Sequence, residues 1–161
     1  MRILIVDDNP ADRELLVFNL QEHFKTEAKF REVPSLQAAH EYLARGSTDA
    51  VILDLQLPDS SGLDTFLRVH NAYPGVPVVI VSNTQNLELA KQMIRLGAED
   101  FIPKSYLDTT MLFQRVVFAV ERTLRNQKRL MSDPPPDKRD TVAPPAGPPE
   151  EASPDTLPSG R

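Results

Sequence analysis

Residues 51–62 read VILDLQLPDSSG. The apolar run Val51-Ile52-Leu53 ends on an acid, Asp54, and a turn signal, Leu57-Pro58-Asp59, follows shortly after. So short a run with no polar alternation is the pattern of a strand buried on both faces. Such a strand normally stops at a turn former, so Asp54 is a turn residue, a helix cap or a reactive group.

The same kind of run recurs on either side. Ile3–Val6, Ala28–Val33, Ala50–Leu53, Val78–Val81 and Phe101–Ile102 are separated by longer stretches whose apolar residues recur at helical spacing. The first stretch places Leu15, Leu16, Leu20 and Phe24 on one face, and the second Leu36, Ala39 and Leu43 with Tyr42 beside them. The third gives Leu63, Phe66, Leu67 and His70, the fourth Leu87, Ala90 and Ile94, and the fifth Leu112, Val116, Val120 and Leu124. Asn9 before Pro10, Ser35 after Pro34, Gly46 and Gly97 supply start and stop signals. Strands alternating with helices predict an α/β fold with a parallel sheet covered on both sides. In such folds the reactive edge lies where the strands' C-termini end.

Bulk composition narrows the chemistry. The chain has 161 residues, 40% of them hydrophobic, which suffices for one core with some length to spare. A net charge of −5 with acids and bases intermixed offers no basic field for nucleic acid. There is no cysteine, hence no disulfide framework, thiolate nucleophile or zinc ribbon, and a metal here would take oxygen ligands. The opening apolar run Ile3–Val6 is far too short for a signal peptide or a membrane span, so a soluble, cytoplasmic protein without a membrane partner is expected. Composition shifts after Met131. Residues 132–161 hold nine of the 15 prolines and no aromatic residue, which predicts a disordered proline-rich tail behind a globular domain at 1–131.

The unusual residues gather at the predicted strand ends: Asp7-Asp8 after the first, Asp54 after the third, Ser82-Asn83 after the fourth, and Lys104 after the fifth. Three carboxylates in one pocket repel one another unless a cation joins them, and oxygen ligands alone favour Mg²⁺. Each residue has a plainer explanation. Asp8 or Asn9 serves as a helix cap, Asp54 as a turn former, Lys104 as a solvated charge and Ser82 as a strand-end hydroxyl. Their coincidence on one edge is what favours a phosphate-handling site.

ILIVDDNPADRELL, VILDLQLPDSSGLD, PVVIVSN and GAEDFIPKS, in this order, resemble the signature segments of the receiver domain of two-component response regulators, over roughly residues 1–125. The resemblance implies a doubly wound, five-stranded, flavodoxin-like (βα)5 fold. It implies that Asp54 accepts a phosphoryl group from a histidine kinase or histidine phosphotransfer protein. Mg²⁺ would be bound by Asp7, Asp8, Asp54 and the backbone carbonyl of Gln56, with Asp7 acting mostly through water. Lys104 and Ser82 would hold phosphoryl oxygens, and Phe101 would turn inward when the Ser82 hydroxyl moves. The chain would catalyse only its own phosphotransfer and dephosphorylation. With no second globular domain following, output would pass to a downstream protein by contact, through the first helix and the face made by the fourth helix, fifth strand and fifth helix. Leu124, Leu130 and Met131 at the end of the fifth helix suggest a possible homodimer.

Local departures from the family pattern bear on kinetics. Asn83 stands where a small residue is common, and Ser105 where a proline usually follows the lysine. Gln56 and Thr84 occupy positions at which the family tunes hydrolysis. Other classes remain open at this level. An aspartate-nucleophile phosphatase shares the strand-end acid, although Gln56 replaces its second acid. A flavodoxin-like cofactor binder shares the topology, although Asp7-Asp8 would repel a phosphate. A non-phosphorylated interaction module would share the fold without a metal response.

Overall fold

A computed structural model describes residues 1–132, the side chains of 130–132 excepted. The predicted tail lies outside the described residues from position 133 onward, as do the side chains of Leu130 and Met131.

In chain order the elements are β1 (Arg2–Val6), α1 (Pro10–Phe24), β2 (Lys29–Val33), α2 (Leu36–Leu43), β3 (Ala50–Leu53), β4 (Gln56–Leu57), β5 (Ser60–Ser61), α3 (Gly62–Ala72), β6 (Val78–Ser82), α4 (Leu87–Arg95), β7 (Asp100–Pro103), a 3₁₀ turn (Lys104–Tyr106) and α5 (Thr109–Ser132). Five strands form a parallel sheet in the order β2-β1-β3-β6-β7, and β4 and β5 pair antiparallel as a separate ribbon. The doubly wound arrangement is therefore present, with that ribbon as an addition. Among the described residues no helix is long and apolar enough to cross a membrane.

Strand periodicity divides the core. Leu4, Val6, Val51, Leu53, Val78 and Ile80 face α2, α3 and α4, whereas Ile3, Ile5, Ile52, Val79, Val81 and Ile102 face α1 and α5. Fully burying one such aliphatic side chain contributes roughly 1.5–3 kcal/mol, so the strands supply a large share of the fold's stability.

Helix faces are where the sequence reading needs correction. In α1, Leu16, Leu20 and Phe24 are buried, but Leu15 is 50% exposed. Adjacent helical residues lie 100° apart, and Leu15 shares its stripe with Phe18, also exposed. In α4 the expected stripe is apolar but points outward: Leu87 is 64% exposed and Ile94 44%, while Met93 is the residue buried. Thr65, Phe66 and Val69 form the buried side of α3, with Leu63, Leu67 and His70 at its margin. On α5, Leu112, Val116 and Ala119 are buried and Leu124 is exposed. The α2 face agrees with expectation. Ala28 falls outside β2, and β7 takes in Asp100 and Pro103 beyond the expected pair. Gly97, with φ +109°, ends α4 where an added Cβ would stand 2.8 Å from the His70 ring, so only glycine fits without a shift.

The cap signals correspond to bonds. Asn9 accepts from the Ala11 N–H at 3.0 Å, and Ser35 Oγ accepts from the Ala38 N–H at 3.2 Å. Asp59, in the turn between β4 and β5, completes the α2 cap by accepting from the Leu36 N–H at 2.9 Å and the Gln37 N–H at 2.8 Å. Desolvation, which raises the Asp59 pKa, is outweighed by those backbone donors, so it lies below the ordinary value of 3.8. A depressed folded-state pKa contributes stability above the unfolded value, and that contribution disappears as pH falls through the folded value. Asp59→Ala is therefore expected to cost about 1 kcal/mol at neutral pH, a modest figure for an exposed cap. The gap between variant and wild type should close below pH 3.8 in urea denaturation at a series of pH values; a gap unchanged in acid would show that the carboxylate charge plays no part.

Candidate functional site

The sheet register brings the acids together. Val6 pairs with Leu53, so Asp7 and Asp54 leave adjacent strands side by side. Ser82 pairs with Pro103, so Ser82 and Lys104 come to the same sheet edge on adjacent strands. The Asp54 N–H is tied to the Val6 carbonyl at 2.8 Å and the Asp7 N–H to the Val33 carbonyl at 3.2 Å, which fixes both backbones. Behind Asp54 the chain turns tightly. The Gln56 N–H donates to Asp54 Oδ1 at 3.1 Å, the Gly62 N–H donates to the Leu55 carbonyl at 2.8 Å, and Leu55 and Leu57 are buried. Asp54 is thus a local turn acceptor through one oxygen and faces the pocket through the other.

That other oxygen meets Lys104. Its ammonium lies 2.7 Å from Asp54 Oδ2, 2.6 Å from Asp7 Oδ2 and 2.6 Å from Asp12 Oδ2. Its bonds to Asp12 and Asp54 are well directed. Asp7 Oδ2 is close enough for ionic attraction but lies outside hydrogen-bonding geometry, so this buried oxygen lacks a properly aimed donor. Asp7 Oδ1 accepts from the Asn9 N–H at 2.9 Å, and Arg13 Nη1 donates to the Asp7 carbonyl at 2.6 Å.

Electrostatics follow from burial. Asp7, 1% exposed, has its pKa raised, because desolvation outweighs the lowering by Lys104 and the Asn9 N–H. Burial pulls the Lys104 ammonium down, but Asp12, Asp54 and Asp7 more than offset this and hold its pKa above the ordinary lysine value of 10.5. The ammonium therefore stays charged and is shared among more acids than it can neutralise.

The donor set fits a hard divalent ion. One carboxylate oxygen from each of Asp7, Asp8 and Asp54 lies within 4.8 Å of the others, Asp8 is open to solvent, and the misaligned Asp7 Oδ2 supplies an unsatisfied acceptor. Ser82 Oγ is also buried, with no hydrogen-bond partner among the described residues. Phe101 is half-buried on β7. Of the residues expected from the sequence, Asp7, Asp8, Asp54, Ser82 and Lys104 converge at this edge. Gln56 contributes its N–H there while its side chain is exposed. Asp12 and Arg13 were missed: both sit on the first turns of α1, where an acid reads as a favourable helix-terminus charge.

The sequence family described as response regulator receiver domain matches residues 3–117. The chain belongs to the response regulator receiver domain family. The response regulator protein PilR of Pseudomonas aeruginosa is 34% identical to this receiver over 143 residues, covering 84% of the chain and 31% of PilR. The protein-glutamate methylesterase/protein-glutamine glutaminase 3 of Burkholderia thailandensis is 31% identical over 156 residues, covering 92% of the chain and 42% of that enzyme. The chain thus spans between about a third and a half of the length of these relatives. Among solved structures, the signal receiver domain of a protein designated a Luxo repressor from Vibrio parahaemolyticus superposes with a TM-score of 0.70 at 25% identity, covering 83% of this chain and 98% of that one. Receiver domains bind Mg²⁺ at an acidic aspartate cluster, and this receiver has such a cluster.

Proposed function

We propose that this receiver is a Mg²⁺-dependent phosphoacceptor that takes a phosphoryl group on Asp54 from a histidine kinase or histidine phosphotransfer protein and signals by protein contact. The observation that carries the reading is the buried pairing of Asp54 with Lys104 beside Asp7 and Asp8, at the strand edge where family members accept phosphate. Asp7, Asp8, Asp54 and the Gln56 carbonyl are the proposed metal ligands. When bound, Mg²⁺ supplies positive charge against the phosphoryl oxygens.

The chain's own residues do the rest. An Asp54 oxygen forms the new P–O bond while the P–N bond to the donor imidazole breaks in line, the electron pair leaving on the ring nitrogen. Lys104, already 2.7 Å from Asp54, follows the developing charge as a mobile point cation. Ser82 Oγ has no partner among the described residues to give up when it donates to another phosphoryl oxygen. Phe101 then moves into the space that the hydroxyl vacates. The proposed docking surfaces are the exposed Leu15–Phe18 stripe of α1 for the donor and the outward Leu87–Ala90–Ile94 stripe of α4 for the target. Self-association through the exposed end of α5, a cytoplasmic location and the absence of nucleic-acid contacts complete the reading.

Incubation with Mg²⁺ and acetyl phosphate is expected to add one phosphoryl mass, located on Asp54 by peptide mass spectrometry after borohydride trapping. The modification should fail to form when EDTA is present from the start of the incubation. An unmodified protein at saturating donor and Mg²⁺ would leave the interaction-module reading instead.

A further inference from the structure

Asp12 begins as an ordinary helix-terminus acid, in the first turn of α1 two residues after Pro10. Its carboxylate does not spread into solvent. It bonds the Lys104 ammonium at 2.6 Å, as short as any contact that the lysine makes, from a position 92 residues away in sequence. Only 30% of the side chain is exposed, against 1% for Asp7 and 4% for Asp54, so Asp12 forms the outer wall of the lysine's cage. With Leu16, Asn83 and Ser105 it lines a cleft of about 250 Å³ that reaches Lys104 from solvent.

Charge decides what such a residue does. Asp7, Asp8, Asp54 and Asp12 against Lys104 leave a net −3, or −1 with a divalent cation present. Converting Asp54 to its acyl phosphate adds about one further negative charge beside Asp12. An ammonium has three donors, and here three carboxylates crowd it, Asp12 at 2.6 Å and Asp54 at 2.7 Å in directed bonds and Asp7 at 2.6 Å in ionic contact. A phosphoryl oxygen taking a place on Lys104 therefore competes with Asp12 for a donor while also being repelled by it.

On the phosphoacceptor reading, we propose that Asp12 is a positioning residue: a resident counter-anion that occupies a Lys104 donor a phosphoryl oxygen needs, and so opposes phosphorylation. It also restrains Lys104 from settling wholly on Asp54 and Asp7, which keeps those carboxylates available to the metal. Loss of Asp12 thus acts in opposite directions on two ligands, weakening Mg²⁺ binding and strengthening binding of a phosphoryl analogue at saturating Mg²⁺.

The test compares the full chain with Asp12→Asn, using calorimetric titration of Mg²⁺ alone and then ¹⁹F NMR titration of beryllofluoride at saturating Mg²⁺. Asp12→Asn is expected to bind beryllofluoride at least about fivefold more tightly, the lower range of a coupling between neighbouring charged sites, while binding Mg²⁺ more weakly. A loosened helix would weaken both, and that outcome, or no change in either, overturns the role given to Asp12. Wild-type protein that binds Mg²⁺ but no beryllofluoride overturns the phosphoacceptor reading itself, a result distinguishable from the others before any variant is made.

Discussion

Asp54→Asn is expected to abolish phosphoryl uptake while leaving the fold intact or slightly more stable. Removing a nucleophile that forms the covalent bond costs several orders of magnitude in rate, because nothing else at the site performs that step. Asp7 is too buried and already tied to the Asn9 N–H, Asp12 lies at the outer rim, and Asp8 is held for the metal on the proposed reading. The fold survives because the amide keeps the carboxylate's shape and still accepts from the Gln56 N–H. Stability is expected to hold or rise in EDTA because one of the acids crowded around a single ammonium is gone. Transfer from labelled phosphohistidine donors, followed on gels, together with thermal unfolding of the same samples, checks both halves. Retained label on the variant would place the acceptor elsewhere. A variant that loses label only because it is unfolded would say nothing for Asp54 as nucleophile.

The fold was legible because its strands are buried on both faces and announce themselves as unbroken apolar runs. Asp54 stood out for the same reason, as an acid terminating the run Val51-Ile52-Leu53. Helix faces were less legible. Leu15-Leu16 are equally apolar neighbours, and periodicity alone does not say which one turns inward; packing against β1, β3 and α5 chose Leu16. In α4 the regular stripe Leu87–Ala90–Ile94 has Leu87 and Ile94 exposed and Ala90 half-buried, and burial falls on Met93. A periodic apolar face therefore identifies the helix but not which side of it packs inward. At the site, every residue at the end of a strand was found from the sequence, and Asp12 was not, because it reaches Lys104 from a helix across 92 residues. Only the geometry separates it from the many acids that decorate helix N-termini. The β4–β5 ribbon was equally invisible, since strands of two residues carry no periodic signal.

Lys104→Met carries the second large effect, and its size depends on the metal. The lysine side chain is 9% exposed and is the one cation within 4 Å of the Asp7, Asp12 and Asp54 carboxylates among the described residues. Methionine preserves the length and apolar stem while removing the charge. Breaking a buried ionic network by deleting one partner typically costs about 3–5 kcal/mol, because the remaining charges stay buried without compensation. Asp12 can rotate into solvent and Asp7, whose pKa is already raised, can take up a proton, so the lower end of that range is expected. For a domain of this size the loss corresponds to roughly 10 °C in melting temperature, measured in EDTA. Mg²⁺ should then return much of it, since an ion that binds only the folded state at a hundred times its dissociation constant stabilises by about 2.7 kcal/mol. The same addition should raise the wild type by less, because there the cation must compete with an ammonium already in place. A variant as stable as wild type in EDTA, or one that Mg²⁺ fails to rescue, would mean that these acids are not loaded against one another. The metal affinity of the site would then have no electrostatic origin in Asp7, Asp8 and Asp54.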